Sequence, residues 1–146
     1  MTITTDTAKS GPYTGNASTT VFAYAFKVSD QAHLVVTETV ILTGVETTKT
    51  LTTHYTVSGV GDEGGGNVTA VSAPASTVTW TITRAVTLSQ TTDLVNRAAV
   101  NPSTLELALD RSVQMIQDLD QQLARTIKYP VSENPANSAE VDAEAV

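Results

Sequence analysis

Thr77-Val78-Thr79-Trp80-Thr81-Ile82-Thr83-Arg84 alternates without a break, with Val78, Trp80 and Ile82 on one side and four threonines on the other. A period of two over this length marks a strand with one packed side and one open side. Trp80, in the middle of the packed side, reads as a core residue. The same period returns upstream, where Phe22, Tyr24, Phe26 and Val28 alternate with Val21, Ala23, Ala25 and Lys27. Two one-sided strands of this kind need each other, or a second layer, to cover their apolar faces.

Between them the chain reads as short strands separated by turn residues. Ser29-Asp30-Gln31 turns into a Val- and Thr-rich strand over residues 33–42. Thr43-Gly44 turns again into residues 46–51, and Tyr55 and Val57, reaching toward Gly59, make a short fourth strand. Residues 61–67 hold four glycines and are expected to be a loop. A strand over residues 68–71, the turn Ser72-Ala73-Pro74-Ala75-Ser76 and the Trp80 strand complete the series. About six strands joined by short turns predict an antiparallel meander. The expected fold is mainly β, a small antiparallel β-sandwich or open barrel, followed by a long C-terminal α-helix.

Composition agrees. The 146 residues include 26 Thr and 18 Val, against 5% aromatic and 16% charged residues. β-Branched side chains suit a pleated, half-buried surface. The few large apolar residues give a modest core, to which a partner subunit could add burial. The absence of cysteine excludes disulfides, thiolate metal sites and a cysteine nucleophile. A net charge of −7 with eight scattered basic residues gives no nucleic-acid footprint. No apolar run is long enough for a membrane helix, and the first ten residues lack the apolar centre of a secretory signal.

Four regions follow: a flexible arm over residues 1–12, with a break at Ser10-Gly11-Pro12; a β-rich domain over 13–100; a helix over 101–129; and an acidic, mobile tail over 130–146. Asn101 and Pro102 are suited to the N-cap and the first helical position, with Ser103 and Glu106 as an alternative capping box one register later. Pro130 stops the helix after Lys128, for a length of about 40 Å at 1.5 Å per residue.

This helix carries the strongest functional signal. Leu105, Leu109, Val113, Ile116, Leu119, Leu123 and Ile127 form one apolar stripe. Read as heptads, Leu109, Ile116 and Leu123 take the a positions and Leu105 and Leu119 the d positions. Ser112 and Thr126 interrupt d, and Val113 and Ile127 widen the stripe into e. The opposite face holds Asp110, Arg111, Gln114, Asp118, Gln121, Gln122 and Arg125. Two arrangements would cover the stripe. It could pack along the chain's own β-domain, or against copies of itself on a symmetry axis; its length exceeds what a small sheet spans and favours the second.

Catalytic chemistry finds little footing. His33 and His54 have Thr and apolar neighbours and read as polar residues at strand ends or turns. Asp62-Glu63 lacks the alternating oxygen ligands of a calcium loop, and the adjacent glycines do not open a helix as a phosphate cradle would. No catalytic, cofactor or metal residue is assigned.

Several short motifs in order complete the reading. Tyr13-Thr14-Gly15-Asn16-Ala17-Ser18-Thr19-Thr20-Val21-Phe22 leads to Phe26-Lys27-Val28. Thr53-His54-Tyr55-Thr56-Val57-Ser58-Gly59 precedes the glycine loop. Thr81-Ile82-Thr83-Arg84-Ala85-Val86 leads to Leu88-Ser89-Gln90-Thr91-Thr92-Asp93-Leu94, and Asn101-Pro102-Ser103-Thr104-Leu105-Glu106 starts the helix. Over residues 13–128 this resembles the N-terminal virion-attachment domain of tail fibres and tailspikes of short-tailed bacteriophages. The resemblance implies a homotrimeric β-rich head with an axial helix. It further implies attachment to adaptor or nozzle proteins of the tail, a place in the virion, and assembly in the host cytoplasm. Full-length members of that family continue into a receptor-binding shaft or an enzymatic spike, whereas here eighteen residues follow Lys128. The resulting expectation is a non-enzymatic adaptor whose residues 131–146 recruit a separate fibre or tailspike. The alternative is a small carbohydrate-binding β-domain, which would require exposed aromatic platforms.

Overall fold

A computed structural model describes Ile3, residues 7–89 and residues 101–126. Seven strands precede one helix: β1 (Lys9–Thr14), β2 (Val21–Tyr24), β3 (Leu34–Val40), β4 (Glu46–Thr48), β5 (Tyr55–Ser58), β6 (Gly66–Ala70), β7 (Val78–Arg84) and α1 (Pro102–Leu123). They form a four-stranded sheet in the order β1-β7-β3-β4 and a three-stranded sheet in the order β2-β6-β5. Every strand pair is antiparallel.

The two sheets enclose one core. Leu34, Val36, Trp80 and Ile82 come from the first sheet, and Phe22, Tyr24, Tyr55, Val68 and Ala70 from the second. Phe26 and Val28, just past β2, complete it. The Phe22 and Trp80 rings meet across the layers with centroids 5.5 Å apart. Each large apolar side chain buried in this way contributes about 1.5–3 kcal/mol. The architecture is an open two-layer sandwich and not a closed barrel.

The structure corrects the expected connectivity. A meander would place sequence neighbours side by side throughout, but only the β3-β4 and β5-β6 pairs do so. β7 instead returns to lie between β3 and β1, in register from Leu34↔Arg84 to Val40↔Val78. Its unbroken alternation explains this place, because the central strand of the larger sheet gains most from one continuous apolar side.

β1 is a second correction. The arm expected over residues 1–12 overlaps a strand that starts at Lys9 and pairs with β7. The Ser10-Gly11-Pro12 break is a bulge within it, with a cis Gly11–Pro12 bond and Gly11 at φ +96°. An edge strand tolerates Pro, which has no amide to donate.

The glycine loop is shorter than expected, since β6 begins at Gly66. Gly65 sits at φ +82°, and a Cβ there would come within 2.0 Å of the Tyr24 carbonyl oxygen. Glycine is needed at that point for the β6 backbone to reach β2. Glu46–Thr48 is also a shorter strand than the expected residues 46–51.

The helix starts as read. Asn101 Oδ1 accepts from the Ser103 amide, and Pro102 occupies the first helical position. The capping box one register later does not form, because Ser103 is already helical. α1 ends at Leu123, earlier than the expected Lys128, and the amides of Arg125 and Thr126 bond three residues back. Its 22 residues span about 33 Å. Ile127 and the whole acidic region over 130–146 lie outside the described residues.

Candidate functional site

α1 lies against the sandwich at the end where β7 stops and the chain leaves β2. The contact is made by its polar face. Asp110, Gln114 and Asp118, spaced by four and so stacked on one side of the helix, are each no more than 6% exposed. In heptad terms these are b, f and c positions, the outside of a bundle.

The partners come from the end of β7 and from the segment that follows β2. Lys27, between the core residues Phe26 and Val28, pairs with Asp110 at 2.5 Å. Ser29 and Gln114 exchange hydrogen bonds of 2.9 and 3.1 Å. Arg84, the last residue of β7, is the hub. Its Nε donates to Asp118 Oδ1 at 2.8 Å, and its terminal nitrogens donate to the carbonyls of Lys27 and Gln114 and to the Gln117 side chain. The guanidinium also lies 5.8 Å from the centroid of the Phe26 ring. The other Asp118 oxygen accepts from the Val86 amide at 2.8 Å. Nearby, Arg111 reaches the Thr87 carbonyl.

A buried ion pair adds little net stability over an apolar pair of the same shape, but it tolerates no loss of one partner. With the donors of Arg84 spread over four acceptors, the joint sets one orientation of helix on sandwich. Sequence reasoning missed Lys27, Ser29 and Arg84 as the receivers of the helix. One signal was available: the alternation that buries Val78, Trp80 and Ile82 continues inward to Arg84.

The opposite face is bare. Leu105, Leu109, Val113, Ile116, Leu119 and Leu123 are between 42% and 66% exposed. Among the described residues, the stripe does not pack along the chain's own β-domain, one of its two expected arrangements. The polar partners Lys27, Ser29 and Arg84 receive the polar face. Ser112, in the stripe, satisfies its hydroxyl within the helix by donating to the Ala108 carbonyl at 3.0 Å.

Other candidate residues are structural. Trp80 is buried and donates through Nε1 to Glu38 Oε2 at 2.9 Å. Lys49 bonds the other Glu38 oxygen at 2.8 Å. Partial burial works to raise the Glu38 carboxyl, but the hydrogen bonds from Lys49 and Trp80, with the nearby charges of Lys49 and His54, outweigh it and hold the group below its ordinary range. His33 ends a short 3-10 turn, and His54 Nδ1 accepts from the Thr50 amide. Among the described residues no group of three or more His, Cys, Asp or Glu gathers to hold a metal, and no helix is long and apolar enough to cross a membrane. None of the described aromatic residues is an exposed platform, since Phe22, Tyr24, Phe26, Tyr55 and Trp80 are buried and Tyr13 is half-buried against the core.

The fold and this joint define a small β-sandwich that carries a helix by its polar side and holds an apolar ridge outward. The scan against protein-family models found no match. The chain is 33% identical over 130 residues to the tail spike protein of Salmonella phage epsilon15. That stretch is 89% of this chain and 12% of the relative, so the chain spans only a small part of the length of the protein it matches. The similarity relates the chain to a phage tail spike, and is consistent with a tail component that partners other tail proteins in the virion.

Proposed function

We propose that the chain is a non-enzymatic structural module of a phage tail, a homotrimer in which three copies of α1 pack along the Leu105, Leu109, Val113, Ile116, Leu119, Leu123 and Ile127 ridge. The β-sandwiches then stand outside the axis as attachment heads that anchor a fibre or tailspike to the tail hub or nozzle. The observation that carries this reading is the inversion of α1. A helix whose b, c and f positions are already docked can receive another copy only on its a and d face, which is the apolar one. Leaving such a continuous ridge in water is costly, and burial against identical ridges removes it.

The further part, recruitment of a separate fibre or tailspike through residues 131–146, is supported by their acidic, proline-containing composition. Sedimentation tests the trimer. The chain should sediment at three times its own mass, and Ile116→Asp should sediment as one copy, because each substitution would bury an unpaired carboxylate on the axis. A wild-type chain that sediments as a single copy refutes the reading.

A further inference from the structure

Beyond β7 the chain turns along one flank of α1. The Val86 amide donates to Asp118 at 2.8 Å. A terminal nitrogen of Arg111 donates to the Thr87 carbonyl at 3.1 Å and lies 3.5 Å from the Ser89 hydroxyl. Asp118 and Arg111 are one heptad apart at c positions, so residues 86–89 follow the c edge of the helix toward its N-terminus. The Ser89 amide closes back on the Thr87 carbonyl at 2.8 Å, a tight three-residue turn with Leu88 at its apex. Val86 is buried, whereas Leu88 is 80% exposed. The strap thus fixes the residues on both sides of Leu88 and holds its side chain outward.

The place of this strap around α1 decides which surface Leu88 can meet. The sandwich occupies the b and f side, through Lys27 on Asp110 and Ser29 on Gln114. The open side of the strap is therefore the g flank of the apolar ridge. When helices pack in parallel, the g flank of one copy meets the e flank of the next. In the described helix the g flank is Ala108, Met115 and Gln122, and the e flank is Glu106, Val113 and Asp120. Neither flank carries a basic residue, so no ion pair joins them across the seam. Val113 is the one apolar residue of that e flank, and it is 42% exposed. Leu88 has both neighbours tied to Arg111, so it stands about level with the turn that carries Val113. The Val113 of the same chain is out of its reach, because c and e positions lie about 160° apart around one helix.

We propose that Leu88 is the sandwich's own contribution to the seam between copies, packing on Val113 of the next copy around the axis. The inference rests on the trimer reading above and adds to it. The joint then does more than orient the sandwich, because the strap that leaves it clasps the neighbouring helix. Two exposed aliphatic residues on opposite flanks and at one height cover each other only when the copies are parallel and in register. The clasp therefore selects that arrangement, which a ridge without complementary charges on its flanks leaves open.

The chain contains no cysteine, so introduced thiols report the contact without background. Full chain carrying both Leu88→Cys and Val113→Cys, treated with a short bis-maleimide, should run as a covalent trimer on a denaturing gel. Each single variant should run as free chains, and the two single variants assembled together should give linked pairs. Thr56→Cys with Val113→Cys, which places the first thiol on an exposed position of β5, should give no links. Leu88→Ser should raise the concentration at which half of the chain is trimeric by about tenfold or more, read by sedimentation. A wild-type trimer whose Leu88→Cys, Val113→Cys variant links no more than the Thr56 control overturns the clasp and leaves the trimer standing. So does a Leu88→Ser midpoint equal to that of wild type, or linking of the Leu88→Cys variant to itself, the mark of one g flank against another. A wild type that sediments as a single copy overturns the clasp and the trimer together.

Discussion

Along one face of α1, Asp110, Gln114 and Asp118 are buried under Lys27, Ser29 and Arg84; along the other, six aliphatic side chains meet solvent. An amphipathic helix in a single-chain domain normally does the reverse. The difference separates two tasks. The polar face meets fixed, directional partners and so sets orientation. The apolar face is non-directional and adhesive, and among the described residues it stands in solvent.

Substitutions that act on one face alone break or sharpen this contrast. The largest effect is expected from Ile116→Asp, which should abolish assembly; analytical ultracentrifugation reads it directly. Arg84→Met comes next. It leaves Asp118 buried without its counter-charge, for a loss of about 3–5 kcal/mol in urea unfolding. Adding Asp118→Leu should recover part of that loss. A residue of about 1–3 kcal/mol should persist, because the Val86 amide then has no acceptor. An Arg84→Met chain as stable as its parent would show that the joint holds nothing in place.

Ser112→Leu has the opposite sign. On a shared axis it fills a small d layer and should stabilise the assembly by about 1–3 kcal/mol per copy, seen as a higher melting midpoint at fixed concentration. On a ridge that stays in water, the midpoint would not move. The smallest effect concerns Glu38, away from both faces. Its carboxyl is held below the ordinary range in the folded chain, so its contribution is present above the unfolded value, near 4.5, and is lost as pH falls through the lower folded value. Glu38→Gln should therefore flatten the acid limb of a stability-versus-pH curve by less than about 1 kcal/mol, with little change in that slope near neutrality.

Legibility followed the strength of local pattern. The β7 alternation, the Phe22-Tyr24-Phe26-Val28 side and the Asn101-Pro102 helix start were all readable, because each is set within a few residues. β1 was hidden by Ser10-Gly11-Pro12, which mimics a break but forms a bulge on a strand at the edge of its sheet. The helix end was placed too far along because Pro130 marks only where a helix must have stopped. The joint was the least legible part. Lys27 and Arg84 look like ordinary surface charges until Asp110 and Asp118, more than 30 residues away in sequence, are brought against them.

What the sequence determined alone is therefore local and periodic: a Thr- and Val-rich two-fold alternation that makes strands, and a helix with one apolar and one polar side. Which side of that helix turns inward was decided only by the tertiary structure. Periodicity records that two faces differ, but the choice between them depends on what the sandwich presents, and here it presents a buried lysine, a half-buried serine and a buried arginine.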